Sequence, residues 1–403
     1  MAKEKRKNKV AVLGTLPPIK ALSSYCFEFA NALSDICDVK FLSFKSIYPS
    51  FLYPGGGMLE DRTYPELEKD GLAVGRRLTW YNPLSWIADG LFTKAELLHV
   101  QWWSLPLFPV FFTICAGFKL RGKPVAITVH NVLPHEKSAA FVQLSSLLFR
   151  LGDHFIVHSK QGRKQMLEHY GIGGDKVSVV AHGSLDFHRR PHADANSLRK
   201  KMGFSPDDKI MLLFGSVRRY KGVEFALKAM PEILSTVPEA RLLVAGRLWI
   251  DWTPFERLIE SLGIEDRVST CLDYIPSEDV HKLFEVSDLC LFPYTHFDSQ
   301  SGAGATAVSF RKPMIVSDTG GLPELVPDQR FVVPPGDPSA LSKAAVSCLQ
   351  DPGMRESFRR KMDRVSRELD WSQIAKKTAS IYEHLIADTT KPAFGKTEDR
   401  YVS

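Results

Sequence analysis

Residues 298–324 read DSQSGAGATAVSFRKPMIVSDTGGLPE. The run Gly302, Ala303, Gly304, Ala305 leaves backbone amides unshielded by side chains, and the pattern after it predicts a helix over Ala305–Phe310. A glycine-rich entry to a helix offers free N–H groups at the positive end of the helix dipole, an environment that suits phosphate or another anion. Pro313–Ser317 is a short apolar run expected to form a buried strand, and Thr319-Gly320-Gly321 a tight turn after it. Asp298 and Glu324 place a carboxylate on either side of this unit. Carboxylates beside an anion-binding loop suit a ligand that bears both hydroxyls and phosphates, as a nucleotide sugar does.

The same strand–helix alternation extends outward in both directions. In the first half, Val10–Gly14, Leu97–Trp102, Val125–His130, Phe155–His158 and Val177–Ala181 are short apolar or β-branched runs, and residues 20–33 have helical spacing. In the second half, strands are expected at Ile210–Phe214, Arg241–Ala245, Val268–Leu272, Leu289–Phe292 and Met314–Val316, with helices at Gly222–Leu234 and Ser277–Val286. Buried strands alternating with helices predict parallel sheets covered on both faces. Composition changes in between: residues 183–208 are polar, charged and proline-bearing. The expected fold is therefore α/β, with two Rossmann-like doubly wound domains facing across a cleft. Residues 1–185 form the first domain, 186–208 a linker and 209–371 the second. A helix at about 372–388 packs back on the first domain, and 389–403 is a disordered tail.

A chain of 403 residues is long enough for two such cores, and its 44% hydrophobic and 24% charged content is that of a globular protein. The net charge of +6 is mild, and no basic helix, zinc-finger spacing or aromatic RNA-binding signature points to nucleic acid. Cys26, Cys37, Cys115, Cys271, Cys290 and Cys348 are scattered without a C-x-x-C pair, and read as reduced core residues of a cytoplasmic protein. Lys3, Lys5, Arg6, Lys7 and Lys9 make a basic start that no long apolar segment follows, so a signal peptide is not expected. It is either a solvated tail or an electrostatic contact with anionic lipid. Leu105–Phe118 is apolar but too short to span a bilayer, and Pro109 interrupts it, so a buried or interfacial helix is expected. Trp80, Trp86, Trp102 and Trp103 lie in or beside it among many Phe and Leu, which keeps a membrane-facing surface open for residues 80–118.

These motifs, taken in order, resemble the retaining glycosyltransferases of family 4, which have the two-domain GT-B architecture. Val10–Gly14 with its loop looks like the first strand, and His99–Trp102 (HVQW) and Thr128–Glu136 (TVHNVLPHE) look like inner strand ends. Gly215–Gly222 (GSVRRYKG) looks like the family's G-R-x-x-x-x-K-G region, and Ala245-Gly246-Arg247 like the next strand end. Phe292-Pro293-Tyr294 through Glu324 looks like the donor motif, and Trp371-Ser372 like the segment that returns to the first domain. Two departures stand out. The family's pair of glutamates, separated by seven residues, falls here on Asp298 and Thr306, and the arginine expected after Gly215 is Ser216. Gln300-Ser301-Gly302 matches a Gln-Ser-Gly found in some members.

The resemblance implies roles. Lys221 and Arg218, with Arg219 as a weaker candidate, would neutralise a leaving diphosphate. Glu324 would accept from the nucleotide ribose hydroxyls. Asp298 would face the donor sugar or the reacting centre, unless it only caps the next helix. Gly215, Ser301, Gly302, Gly304 and Gly321 would let the backbone approach the donor, although plain turn chemistry explains such glycines equally. Thr306 would offer a hydroxyl where the family has a carboxylate. His130 would hydrogen-bond a sugar hydroxyl, with His135 and Glu136 less secure. Gly14 and Lys20 would lie on a loop facing the acceptor and diphosphate, whereas His99 and Gln101 suit packing. The implied activity is transfer of a sugar from a UDP- or GDP-sugar to a hydroxyl on a glycan or lipid-linked acceptor. No cofactor or metal is implied, since Asp-x-Asp does not occur. The implied location is cytoplasmic, with peripheral contact on the cytoplasmic membrane face. A sugar-phosphate synthase on the same fold and a non-catalytic nucleotide-sugar binder are the alternatives.

Overall fold

The computed structural model describes residues 6–19, 22–47, 60, 62, 64, 67–133, 139–185 and 194–390. Lys20, His135 and Glu136 lie outside the described residues.

The first sheet has seven parallel strands: β1 (Lys9–Leu13), β2 (Asp38–Ser46), β3 (Leu72–Thr79), β4 (Leu97–Trp102), β5 (Val125–Val129), β6 (His154–Val157) and β7 (Val177–Val179). Their order is β3-β2-β1-β4-β5-β6-β7, which turns back at β1. Every residue of β4 and β5 is buried, as a central parallel strand with both faces covered requires. The second sheet has six: β8 (Lys209–Phe214), β9 (Ala240–Ala245), β10 (Val268–Cys271), β11 (Leu289–Phe292), β12 (Met314–Ser317) and β13 (Val332–Val333). The order β10-β9-β8-β11-β12-β13 turns back at β8. β1 and β8 thus sit at the switch points where open α/β sheets bind ligands beyond their carboxyl ends.

β2, β3 and β13 add to the strands expected from the sequence. β3 is an edge strand that is only partly buried, and β13 is two residues long, so neither shows a sustained apolar run. Cys271 is exposed, unlike the other five cysteines, because it ends the edge strand β10. The linker expected over 186–208 is shorter than that. Asp194 caps a helix, Ala195–Lys201, whose Leu198 joins Phe204 in the core of the second domain. Arg199 ties that helix to Val286 O and to Asp288 Oδ2, each at 2.8 Å. Two apolar residues in a charged stretch were a weak signal for this anchoring.

The last helix, Trp371–Thr390, continues to the first residues of the expected tail; 391–403 lie outside the described residues. It buries Ile374, Ala375, Ala379 and Tyr382 against the first domain, beside the helix Ser23–Leu33. The chain therefore crosses between domains twice, and the two crossings are bonded to each other. Ser184 N donates to Leu369 O at 3.1 Å, and Trp371 Nε1 donates to Ser184 O at 2.6 Å. The indole lies flat on Gly183, where a Cβ would come within 2.2 Å of its ring.

Gly183→Ala should therefore cost about 1–3 kcal/mol by overpacking, seen as a lower Tm. In a Trp371→Ala background the same change should cost under about 0.5 kcal/mol, because its clash partner is gone. An equal penalty in both backgrounds would show that the glycine acts through its backbone and not through the indole.

Candidate active site

β8 ends at Phe214, and the chain turns through Gly215-Ser216-Val217-Arg218 and a short 3-10 turn, Arg219–Lys221, into the helix Val223–Thr236. Gly222 closes that turn with φ +71°, and a Cβ there would lie 1.8 Å from the Pro293 carbonyl oxygen. Only glycine fits, and the turn folds Lys221 back under the end of β8. Its side chain is buried. Nζ donates to the Tyr294 hydroxyl and lies 4.1 Å from the centre of that ring. Tyr294 OH in turn pairs with Ser301 Oγ at 2.9 Å. Ser301 caps the helix Gly302–Ser309, with Oγ accepting from Gly304 N at 3.2 Å. A lysine, a phenol and a helix N-terminus are thus joined in one hydrogen-bonded line.

This line floors a cleft of about 480 Å³ bounded by Gly215, Arg218, Lys221, Gly302 and Thr306, with Asn131 facing them from the first domain. The Arg218 guanidinium stacks over Trp249, its carbon 4.0 Å from the ring centre. Among the described residues no carboxylate lines the cleft and none pairs with Lys221. Burial, reinforced by the Arg218 charge, pulls the Lys221 ammonium down to about 7. A buried cation without a counter-charge is costly, and a dianion in the cleft would supply one.

The helix over 302–309 begins three residues earlier than expected, so the two glycines differ in role. Gly302 faces open space, and the N–H groups of Gly302 and Ala303 meet no acceptor among the described residues. Gly304 is buried, its amide is taken by Ser301, and a Cβ there would press on Leu325 at 2.7 Å. It is a packing glycine, not a point of ligand approach. Thr306 lines the cleft while its hydroxyl donates to Gly302 O at 2.9 Å.

Four other expected residues sit away from the cleft lining. Asp298 Oδ1 accepts from Gln165 Nε2 at 2.7 Å, and Glu324 Oε1 accepts from Lys160 N at 2.9 Å. Both partners lie on the first-domain helix Lys160–Tyr170, whose N-terminus attracts a carboxylate for the same reasons that the cleft attracts an anion. Gly321 faces this seam as well, with Gln300 and Ser159 against it. Gly14 packs against Cys26 and Gln101, leaving no room for a ligand there.

His130 contributes its backbone to the seam, where its carbonyl accepts from Ser299 Oγ. Its ring is buried and both nitrogens are engaged: Nε2 lies 2.9 Å from Gln101 Oε1 and Nδ1 3.2 Å from His158 Nε2. The chain continues on either side. His158 Nδ1 meets Val180 O at 2.9 Å, and His99 bridges Thr128 at 2.7 Å and Tyr382 at 2.5 Å. A carbonyl only accepts, so His158 carries its proton on Nδ1 and takes one from His130 Nδ1. Neutral His130 then needs a donor at Nε2, which requires the Gln101 amide to present its NH₂. Burial keeps these rings neutral, holding His99 and His158 down to about 3 and His182 to about 4, with His130 well below the usual range. The imidazole of His130 is therefore structural in this arrangement. Gln165 and Lys160 carry no comparable sequence signal, and only the apposition of two domains reveals them; Tyr294 opens the donor motif quoted above, but nothing there marks it as the partner of Lys221.

Family models match both domains: Glycosyltransferase Family 4 over residues 23–184 and Glycosyl transferases group 1 over residues 194–365. The chain belongs to the family 4, group 1 glycosyltransferases. It is 27% identical over 237 residues to an uncharacterized glycosyltransferase of Methanocaldococcus jannaschii, an alignment covering 57% of this chain and 59% of that protein. It is 25% identical over 310 residues to a D-inositol 3-phosphate glycosyltransferase of Corynebacterium diphtheriae, covering 75% and 69%. The chain thus spans little more than half to two-thirds of the length of these curated relatives. Anabaena Alr3699/HepE in complex with UDP superposes with a TM-score of 0.71 at 16% identity, over 93% of this chain and 100% of that one. The fold is GT-B.

Lys221 gives the site a pH signature. Its folded pKa, about 7, lies below the ordinary 10.5. Between those values the unfolded chain binds more protons, so the wild-type fold gains stability as pH rises through this window and loses it as pH falls. Lys221→Met should be the more stable protein at pH 7, and its lead should shrink by about 1 kcal/mol per pH unit toward pH 10. A pH-independent gap in Tm, or a less stable variant at pH 7, would contradict an uncompensated charge.

Proposed function

We propose that this protein is a retaining glycosyltransferase that moves a sugar from a nucleoside diphosphate sugar to a hydroxyl acceptor on a glycan or lipid-linked precursor. The observation that carries this is Lys221, buried without a carboxylate beside Arg218 and the N-terminus of the helix Gly302–Ser309. A diphosphate there meets two cations and the N–H groups of Gly302 and Ala303. UDP is the first diphosphate to test, because a protein of the same fold is solved with UDP bound.

The chemistry proposed is the front-face substitution that the family resemblance implies. The bond from the anomeric carbon to the β-phosphate oxygen breaks, and the acceptor oxygen bonds to that carbon on the same face. The acceptor proton passes to the leaving diphosphate oxygen. Such a front-face route needs no protein base, which suits a lining without carboxylates. Lys221 and Arg218 stabilise the charge that develops on the leaving group. Asp298 and Glu324 reach the donor only by exchanging Gln165 and Lys160 for sugar hydroxyls, so donor entry is coupled to movement at the seam.

A thermal-shift screen with UDP, GDP, ADP and their sugar conjugates tests the reading. A matched diphosphate at ~100 times its Kd should add about 2.7 kcal/mol of stability, and Lys221→Ala should abolish the shift. Affinity should also fall as pH rises above about 7, by up to tenfold per unit, because binding restores the Lys221 proton. Failure of every nucleotide to stabilise well-folded protein would sink the transferase reading. Binding without sugar transfer to any acceptor or to water would identify a binder.

A further inference from the structure

Arg218 reaches the cleft on a loop, and its half-buried guanidinium pairs with no carboxylate and no hydrogen-bond acceptor among the described residues. What it meets is the face of Trp249. Arg247 comes no nearer that ring than 5.9 Å, so Arg218, at 4.0 Å, has the closer contact. Backbone register puts the two together. Beyond the ends of β8 and β9, Val217 and Leu248 form an isolated parallel bridge. Val217 N donates to Arg247 O at 2.8 Å, and Trp249 N donates to Val217 O at 3.1 Å. Arg218 and Trp249 are the next residues along the paired segments, so their side chains leave on one face. Gly246 permits the approach, because a Cβ there would lie 2.3 Å from Gly215 O. Leu248 N also donates to Leu272 O at 3.0 Å, which anchors the tryptophan segment to the sheet.

Two observations separate this ring from ordinary packing. Trp249 is not among the described residues that line the cleft, whereas Arg218 is. In addition, Trp249 Nε1 is buried with no acceptor among the described residues. A buried indole normally finds one, and leaving it unpaired costs stability. The position therefore serves the face of the ring and not its N–H. A guanidinium stacked by its face keeps its edge N–H groups free for phosphate oxygens, a use that a lysine ammonium, without a planar fork, does not offer. We propose that Trp249 is a positioning residue: its indole holds the Arg218 guanidinium at the rim of the cleft beside Lys221, oriented in advance for a diphosphate. The stack removes beforehand the side-chain freedom that a swinging arginine would lose on binding. The use of Arg218 on a diphosphate rests on the transferase reading; the hold of Trp249 on Arg218 does not.

That hold has a consequence in the free protein. Lys221 Nζ faces the Tyr294 hydroxyl, the Tyr220 ring at 5.5 Å and the Arg218 charge, and no carboxylate among the described residues. The Arg218 charge adds to burial in disfavouring the Lys221 ammonium. Releasing Arg218 into solvent should therefore raise the pH at which Lys221 titrates.

Two measurements test the proposal. In the first, the Lys221 ε-methylene signal is followed by NMR against pH and assigned by its absence in Lys221→Met. Trp249→Leu should raise the titration of Lys221 toward that of Arg218→Gln, and Trp249→Phe should leave it near wild type. In the second, calorimetry measures affinity for UDP and for pyrophosphate, which has no base or sugar to touch the indole. Arg218→Gln should weaken pyrophosphate binding by about tenfold or more, and Trp249→Leu by about three- to thirtyfold. In the Arg218→Gln background Trp249→Leu should cost less than about twofold. Trp249→Phe keeps a ring face without the N–H and should stay within about threefold of wild type. An unmoved Lys221 titration or pyrophosphate affinity in Trp249→Leu overturns the proposal, as do additive losses in the double variant. A Trp249→Phe that binds as poorly as Trp249→Leu overturns it too, and makes the N–H a direct ligand contact. If wild type binds neither pyrophosphate nor UDP, the transferase reading falls and the titration alone decides the hold on Arg218.

Discussion

The indole of Trp371 on Gly183 is the constraint from which the rest of the molecule takes its geometry. Two Rossmann-like units joined by two strands of chain could sit at many angles. Here the crossings are bonded to each other through Ser184, Leu369 and Trp371, so they act as one joint. The same tryptophan opens the final helix, and Tyr382 on that helix bonds His99 in the first sheet. From His99 the contacts pass by way of Gln101 to His130, and the carbonyl of His130 takes a hydrogen bond from Ser299 of the second domain. Buried hydrogen bonds, linked through the final helix, thus connect the joint to the seam between the domains. Keeping all their imidazoles neutral is what allows them to be buried.

Within the cleft, stability and binding are opposed. Lys221 sits in the fold without a counter-charge, an arrangement that folding alone would not select. Sequences that agree with their fold at every level break the rule where function requires it. Here the exception is local. The turn is specified by Gly222 and the helix cap by Ser301, and both satisfy ordinary backbone chemistry; only the ammonium is left uncompensated. That separates the part of the site built for folding from the part built for an anion.

Much of the fold is legible in the sequence because both sheets are parallel. Buried parallel strands are continuous apolar runs, and β1, β4, β5, β8, β9, β11 and β12 stand out for that reason. β3 and β13 are less visible because edge position and short length weaken the pattern; β2 is neither at an edge nor short, but Asp38, Lys40, Ser43 and Lys45 break up its apolar run. The lysine turn is also legible, since glycine spacing reflects a local backbone requirement; the helix after Ser301 is legible in kind but not in its start or its cap, which fall at Gly302 and Ser301 and not at Ala305 and Asp298. The orientation of side chains at the seam is not. Nothing near Asp298 or Glu324 in the chain reveals that their oxygens meet Gln165 and Lys160, more than a hundred residues away. His130 shows the same limit: strand-end position suggests a ligand contact, while three neighbouring histidines in space turn it inward. Gly304 differs from Gly302 through the Ser301 cap and through Leu325, and the second of these is a contact that local sequence does not encode.

On the proposed function, the seam and the cleft are competing sets of donors for the same carboxylates. Glu324 caps a helix in the first domain, and Asp298 takes an amide from the same helix; Ser299 adds a third bond to His130 O. Each such bond contributes about 1 kcal/mol net, so the three together favour the seated arrangement by about two orders of magnitude. That is a bias a ligand can overcome. Vicinal hydroxyls offer the carboxylates equivalent donors, so moving from seam to ligand exchanges hydrogen bonds without losing them. The electrostatic gain at Lys221 is then left over to drive the exchange. Asp298 is the residue in which the proposed double use would be seen first: its carboxylate accepts from Gln165 in the seam, and the cleft lining among the described residues holds no carboxylate.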